Sequence, residues 1–562
     1  MTQPTDTNED VFRLRTQSIY DAIRHDDLDP STVAFEYFGV RFSYSRLYDE
    51  IDRAAKAFRQ AGVRKGDIVS LMLPTLPETL YCMYALSRIG AVASLIDIRA
   101  TPEQLKKCLE RTGSKILFVM AFYLKTIEPV REGLGVDKIV LLRGCDSMPP
   151  FVLFWYKLGE RFNGRRRIAS RSGKYIFRDK FIKDGATFCG VVDDPLPADE
   201  AAAIFQTSGT TGDPRSVVHS SFSINNSADW VHRVLNDPRQ GDRVLSILPA
   251  FAFYGFVTNV HLGLMNGMTD IIIPLFDFHK FGQLIVRHKP NYTFGIPSHW
   301  EHVVKMGKEI GDLSFIKDVS VAGEVIEPFL KESVNAFLKE HGSAAQMTVA
   351  YGMTETGGCV SLLNSVRSTS DDYARGNVGR PMPFVKILIQ DPGSGQEMPT
   401  GRLGEVCLQT GLMMKEYFKN PEATAELLRL HPNGQRWMHT GDLGYLSEDG
   451  VLYVVGRIKR MIVRYDGTKL FPVEIENAIK KHPGVKDCAV VPAKDPLHVQ
   501  AQTPFAFVVP ASDEVEVSDI RRFVKEQLPV HMQPSDIRFI ESIPVLGIGK
   551  PDYMALTALA KS

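Results

Sequence analysis

Apolar residues recur every three or four positions between Ser43 and Ala61, at Leu47, Ile51, Ala54, Ala55 and Phe58, which predicts an amphipathic helix. The short apolar run Ile68 to Met72 then predicts a strand. The same alternation continues through Ile116 to Val119 and Lys138 to Leu142. It resumes in Arg243 to Leu248, Thr269 to Pro274, Tyr292 to Gly295 and Lys317 to Ala322. Helices layered on mostly parallel sheet, in two α/β halves of one large domain, are expected. From about Val378 the pattern changes to short strands between turn residues, as in Lys386 to Gln390, Glu405 to Gln409 and Val451 to Val455, so a β-rich subdomain is expected there. Beyond Gly456 come a strand at Met461 to Arg464, a helix at Val473 to Lys481, strands at Asp487 to Val491 and Pro504 to Val509, and a helix at Ser518 to Glu526. Together these describe a small α+β domain.

Two apolar stretches, Leu80 to Ile98 and Phe253 to Thr269, come nearest to a membrane span. Arg88 interrupts the first, and Asn259, His261 and Asn266 interrupt the second, so both are read as buried helices. Residues 151–180 stand apart. They begin Phe-Val-Leu-Phe-Trp-Tyr and carry nine Lys/Arg, a pattern suited either to an anionic membrane surface or to a solvated surface insertion.

With 562 residues, the chain is long enough for several subdomains. Lys+Arg 66 balances Asp+Glu 66, which argues against wholesale attraction to nucleic acid. The seven cysteines are scattered, without CxxC or zinc spacing, and the acidic N-terminus lacks the basic start of an export signal. A reducing cytoplasm is the expected location.

Four clusters could carry chemistry. Thr207-Ser208-Gly209-Thr210-Thr211-Gly212, ahead of Pro214 and Arg215, offers small residues and hydroxyls that would let backbone N–H groups approach phosphate oxygens. It follows a predicted strand, Ala202 to Gln206, and precedes a helical pattern from Ser221. The GxxxxGK[ST] order of a Walker loop is missing, and such a turn can equally be only a turn. In Tyr351-Gly352-Met353-Thr354-Glu355-Thr356, Glu355 is a hard oxygen donor suited to Mg²⁺, and Tyr351 a flat face for a base. Thr440-Gly441-Asp442 and the later Gly456-Arg457 pair a carboxylate able to accept from ribose hydroxyls with a planar donor fork. Gly547-Ile548-Gly549-Lys550 presents an ammonium on a flexible turn.

The order and spacing of these clusters, over roughly Phe42 to Tyr553, resemble the ANL adenylate-forming superfamily of acyl-CoA synthetases, peptide-synthetase adenylation domains and luciferases. The resemblance implies an N-terminal adenylating domain, residues 1–457, and a mobile C-terminal domain, residues 458–562, hinged near Lys459. It implies that Thr207 to Gly212 and Arg215 hold phosphates, that Glu355 and Thr210 hold Mg²⁺, and that Gly323, Glu324, Tyr351, Gly352 and Thr354 border the nucleotide. Asp442 and Arg457 would take the ribose, and Lys550 would bridge the carboxylate and α-phosphate. The acid pocket would draw on Phe251, Ala252, Phe253, Tyr254, His299, Trp300, Val325 and Met353.

Several positions depart from the family pattern. Arg215 and Ser216 replace a lysine and a glycine, Leu546 and Ile548 stand where threonines are usual, and Ala252 replaces a histidine of the acyl-CoA synthetases. Peptide-synthetase domains anchor an amino group with an aspartate at this last place, so amino acids are disfavoured as substrates. The expected activity is ATP-dependent ligation of a carboxylic acid to coenzyme A through an acyl-AMP, with medium- or long-chain fatty acids ahead of aryl acids and hence a place in fatty acid metabolism. Transfer to an acyl carrier protein is the rival acceptor, and a nucleotide- and acyl-binding protein with weak turnover is the rival class.

Overall fold

The computed structural model describes residues 14–149, 151–154, 173–207, 215–323, 326, 329–363, 376–466, 468–495, 501–545 and 551–560. The chain divides into two compact units. The first takes the residues up to 323 with Leu330–Val360 and Thr410–Ala425; the second takes Ser361–Gln409 and the chain from Glu426 on.

Two sheets build the first unit. One runs Glu416–Tyr417, Arg215–Ser220, Ala201–Thr207, Val92–Leu95, Ile68–Met72, Ile116–Met120, Lys138–Leu142, Tyr175–Phe177, parallel from Ala201–Thr207 onward. The other sets Met347–Met353, Asp318–Ala322, Tyr292–Gly295, Arg243–Ser246, Thr269–Ile272 and Val33–Tyr37 in parallel, with Val40–Ser43 antiparallel at its end. The expected two α/β halves are these sheets. The helix Tyr44–Gln60 forms as its periodicity requires, capped by the Ser43 hydroxyl accepting from Arg46 N–H. Its apolar face, Leu47, Ile51 and Phe58, enters a core that also takes Val69 and Leu71 from one sheet and Val244 and Phe294 from the other.

Leu80 to Ile98 is not one helix. The helix Pro77–Arg88 ends before Gly90, whose φ of 70° suits glycine and whose Cβ would stand 2.4 Å from the Asp194 carbonyl oxygen; Val92–Leu95 then continues as strand. Pro77 to Ser87 is buried on every face, which accounts for its unbroken apolar reading. Phe253 to Met265 forms consecutive helical turns, fully buried from Gly255 onward. Among the described residues no helix is long and apolar enough to cross a membrane.

Residues 155–172 of the basic segment lie outside the described residues. Of its nine cations, Arg178 is no membrane contact: it starts the helix Arg178–Gly185 and pairs at 3.0 Å with Glu50, both largely buried.

The second unit has the expected β-rich part, in which Lys386–Gln390, Gly404–Gln409, Arg436–Leu446, Leu452–Arg457 and Asn377–Pro381 pair antiparallel in that order. Its C-terminal part is a three-stranded sheet, Val485–Lys494, Gln502–Pro510 and Asp536–Phe539. Helices Pro472–Lys480 and Val517–Gln527 cover one face through Ile475, Ile479, Ile520 and Val524; helix Tyr553–Leu559 packs Leu556 on the other. Lys459 sits exposed in the short turn Ile458–Arg460 that leads into this part.

Candidate active site

In the second sheet of the first unit, four neighbouring parallel strands end on the same edge, where open α/β sheets bind their ligands. Arg243–Ser246 leads into Phe251 to Tyr254, Tyr292–Gly295 into the helix Pro297–Met306 with His299 and Trp300, and Asp318–Ala322 into Gly323. Met347–Met353 ends with Tyr351, Gly352 and Met353. One edge thus gathers these acid-pocket and adenine candidates from segments far apart in sequence.

They differ in what they can offer a ligand. Tyr351, Gly352, Met353, Thr354, Ala252 and Tyr254 are half-buried. The Tyr254 hydroxyl donates to the Gly295 carbonyl at 3.3 Å, and burial pushes its pKa up, so the ring is held as a neutral wall. Phe251 is nearly buried, with the Arg99 guanidinium 5.8 Å above its ring. Two candidates are core instead. Trp300 has no accessible surface and meets Phe281 edge-on, and Phe253 packs its ring 4.2 Å from that of His219. His299 is buried between Phe276 and Phe281, which lowers its pKa to about 4 and keeps it neutral.

The turn after Tyr351 is tightly determined. A Cβ on Gly352 would stand 1.9 Å from the Gly358 carbonyl oxygen, and Gly357 has φ 75° with the Leu412 carbonyl oxygen 2.0 Å from any Cβ. Thr356 closes the turn through its hydroxyl to the Met353 carbonyl at 2.8 Å and the backbone N–H of Met353 at 3.0 Å. Glu355 is buried at the centre, 7% exposed, yet one carboxylate oxygen, Oε1, accepts from the Tyr417 hydroxyl at 2.8 Å. Arg215 donates to that same hydroxyl at 3.3 Å and lies 5.0 Å over the Tyr417 ring. The buried carboxylate is thereby tied through a phenol to a guanidinium, an arrangement suited to one hard cation held beside phosphate.

His219 supports the same turn from below. Its Nε2–H donates to the Thr354 carbonyl at 2.8 Å, its Nδ1 is 2.9 Å from the Ser223 hydroxyl, and burial lowers its pKa to about 4. Ser223 donates to the Leu412 carbonyl at 2.6 Å, and the Ser227 hydroxyl donates to the Gly357 carbonyl. His219 and Tyr417 escaped the sequence reading. The only signal for either was a polar side chain in an apolar strand, Val217-Val218-His219, and an aromatic beside the turn Phe418-Lys419-Asn420-Pro421.

Residues 208–214, which hold Ser208, Gly209, Thr210, Thr211 and Gly212, lie outside the described residues, as do Glu324, Val325 and Lys550. The loop's two ends are described. Thr207 closes the strand Ala201–Thr207 and faces Arg215, which opens the antiparallel strand Arg215–Ser220, so a strand stands between the loop and the helix from Ser221. Ser216, where the family has glycine, is buried; it donates to Gln206 Oε1 at 2.8 Å and accepts from Arg111 at 3.1 Å.

In the second unit, Asp442 and Arg457 face each other across paired strands, Arg457 Nε to Asp442 Oδ1 at 2.7 Å. Asp442 is 4% exposed, while the Arg457 side chain is half-exposed. Arg457 also donates to the Thr440 carbonyl at 3.2 Å, the Thr440 hydroxyl accepts from Asp442 N–H at 3.0 Å, and Gly441 turns with φ 70°. Glu405 Oε1 accepts the Gly441 N–H at 3.1 Å. A carboxylate fixed this way can take two neighbouring hydroxyls.

Residues 24–418 match the AMP-binding enzyme family and residues 474–550 its C-terminal domain family, described as AMP-binding enzyme C-terminal domain. The chain is similar to 4-coumarate–CoA ligase 1 of Arabidopsis thaliana, 28% identical over 518 residues, covering 91% of this chain and 86% of the relative. It shares its fold with anthranilate CoA ligase AuaEII in complex with anthranoyl-AMP, at TM-score 0.80 and 19% identity, covering 97% of this chain and 98% of the other. ATP-bound MatB from Rhodopseudomonas palustris aligns at TM-score 0.81 and 21% identity, covering 98% and 99%.

Proposed function

This chain belongs to the AMP-binding enzyme family, and on that premise we propose that the acid it activates is an aromatic carboxylic acid of the hydroxycinnamate or benzoate kind. The reaction itself is AMP-forming acid:CoA ligation, with ATP, Mg²⁺ and coenzyme A taking part. An acid carboxylate attacks the α-phosphorus, an oxygen–phosphorus bond forms, and pyrophosphate leaves. The thiol sulfur then attacks the acyl carbon of the adenylate, the thioester forms and AMP leaves.

The observation that carries the aromatic reading is the Tyr254 ring at the sheet edge, fixed in place by its hydrogen bond to Gly295 as a flat wall for an aryl group; the absence of a carboxylate in Ala252 to Tyr254 disfavours only amino acids. The name of the Arabidopsis relative, a ligase of 4-coumarate, supports this reading over the fatty acids expected from the sequence. Acid-dependent pyrophosphate exchange and thioester formation over a panel of hydroxycinnamates, benzoates and fatty acids test it. Higher kcat/KM for an aromatic acid is expected; a fatty acid preferred by tenfold overturns the assignment.

The chain's own residues divide the work. Glu355, buried and tethered by Tyr417, would hold Mg²⁺ with Thr210, the cation supplying charge neutralisation on the phosphates. Arg215, with Thr207 to Gly212, would bind phosphate oxygens, keeping the charge of the lysine it replaces. Tyr351 would border the base, together with Gly323 and Glu324. Asp442 would accept from the ribose hydroxyls while Arg457 holds its second side. Lys550 would offset the charge that develops as the carboxylate attacks. Rotation about Lys459 of a C-terminal domain starting at 458 would then withdraw Lys550 before thiol attack.

A further inference from the structure

Strand alternation places Glu405 and Cys407 on one face of Gly404–Gln409, and pairing sets His439 of Arg436–Leu446 directly opposite Cys407 and Gln390 of Lys386–Gln390 directly opposite Glu405. Four donors of different kinds therefore share one face of three adjacent strands. His439 Nδ1 is 2.9 Å from Glu405 Oε2 and 3.4 Å from Cys407 Sγ, and Cys407 Sγ is 3.9 Å from Gln390 Oε1. Glu405, Cys407 and His439 are all buried, with one donor atom of each inside a span of 4.8 Å.

The outer atoms of the same side chains are occupied elsewhere, which fixes how the inner ones point. Glu405 Oε1 takes the Gly441 N–H at 3.1 Å, His439 Nε2 lies 3.0 Å from His431 Nε2, and Gln390 Nε2 donates to the Gly395 carbonyl. Metal-binding side chains are held by outer partners in this manner. The Cys407 sulfur and His439 Nδ1 both face the space between these inner atoms.

We propose that Glu405, Cys407, His439 and Gln390 form a site for one borderline-soft divalent cation of the Zn²⁺ class, which braces the turn carrying Asp442 through Glu405 and Gly441. Binding forms metal bonds to the sulfur, the imidazole nitrogen and the two oxygens; the thiol proton goes to water, and the imidazole proton moves to His439 Nε2, where His431 Nε2 accepts it. A thiolate and an imidazole select against Mg²⁺, so this cation is separate from the one the ligation reaction uses.

The test uses the whole protein, stripped with a strong chelator and titrated with Co²⁺ alone, then with Zn²⁺. One Co²⁺ per chain with a thiolate-to-cobalt charge-transfer band, displaced by Zn²⁺, is expected. The exposed Cys189 gives a control, since Cys189→Ser should keep the band. Cys407→Ser should lose it, with at least a tenfold fall in Co²⁺ affinity. Gln390→Ala, at a half-buried position and independent of whether the cysteine variant folds, should weaken binding several-fold. Cobalt bound without a thiolate band, a band that survives Cys407→Ser, unchanged affinity in Gln390→Ala, or no binding at a hundredfold excess of Co²⁺ would each overturn the site.

Discussion

Tyr417 donates its hydroxyl to Glu355 Oε1 at 2.8 Å although 62 residues separate the two, and Arg215 donates to that hydroxyl in turn. The carboxylate proposed to hold Mg²⁺ is therefore oriented by a phenol that donates its proton to it. Tyr417→Phe removes one hydrogen bond to a carboxylate, worth roughly 1.5–3 kcal/mol. Pyrophosphate exchange should fall by about 10- to 100-fold by that measure, with a higher Mg²⁺ concentration at half-maximal rate. Glu355→Gln should fall further, and an unchanged Mg²⁺ dependence in both variants would remove Glu355 from the cation site.

Asp442→Asn keeps the shape of the side chain and removes its charge. KM for ATP should rise by roughly 10- to 100-fold, with a smaller change in kcat. The discriminating substrate is an ATP lacking a ribose hydroxyl: it should be poor for the wild-type protein and lose little more in the variant. Equal further loss would show that Asp442 does not read the ribose.

Lys550→Ala should slow adenylation severely while leaving thioester formation from supplied acyl-AMP close to the wild-type rate. Equal loss in both half-reactions would contradict the proposed withdrawal of Lys550 between them.

His219 couples the site to pH. Its pKa is lowered from 6.5 to about 4 by burial, so the folded protein keeps it neutral while the unfolded chain takes up a proton. Its folded state is at full strength above pH 6.5 and loses stability as pH falls from 6.5 to about 4, by roughly 3 kcal/mol at most. Denaturant midpoints of His219→Gln measured across this window should fall less steeply with acid than those of the wild type. Parallel slopes would mean that His219 is already charged in the fold.

Asp270 gives the opposite sign. Buried in the strand Thr269–Ile272, it has no hydrogen-bond partner for either carboxylate oxygen among the described residues, and burial pushes its pKa well up. The folded protein keeps its proton above the usual carboxylate range, so stability present below about pH 4 declines as pH rises. Asp270→Asn should flatten that decline, read as the urea midpoint against pH, and an unaltered slope would show the carboxylate is not the source.

Periodic elements were legible. The helix Tyr44–Gln60, the strand Ile68–Met72 and the strand Tyr292–Gly295 lie where their apolar spacing put them, because tertiary packing there reinforces the local pattern. Leu80 to Ile98 misled because a helix buried on all sides and a buried strand are both continuously apolar, and only Gly90 marks the break. At the site, Glu355 and Asp442 stand out as carboxylates in short glycine turns. His219 acts on Thr354 from 135 residues away, a relationship set by sheet packing that no local spacing encodes. Trp300 was expected in the acid pocket because aromatic residues line pockets and cores alike; Phe281 covers it.

The most direct measurement is the fate of ATP with an aromatic acid, with and without coenzyme A. Acid-dependent exchange of pyrophosphate into ATP, abolished in Glu355→Gln, followed by AMP release and thioester formation once coenzyme A is added, is the predicted result. Hydrolysis of ATP that ignores the acid, or adenylation that no thiol discharges, would contradict it.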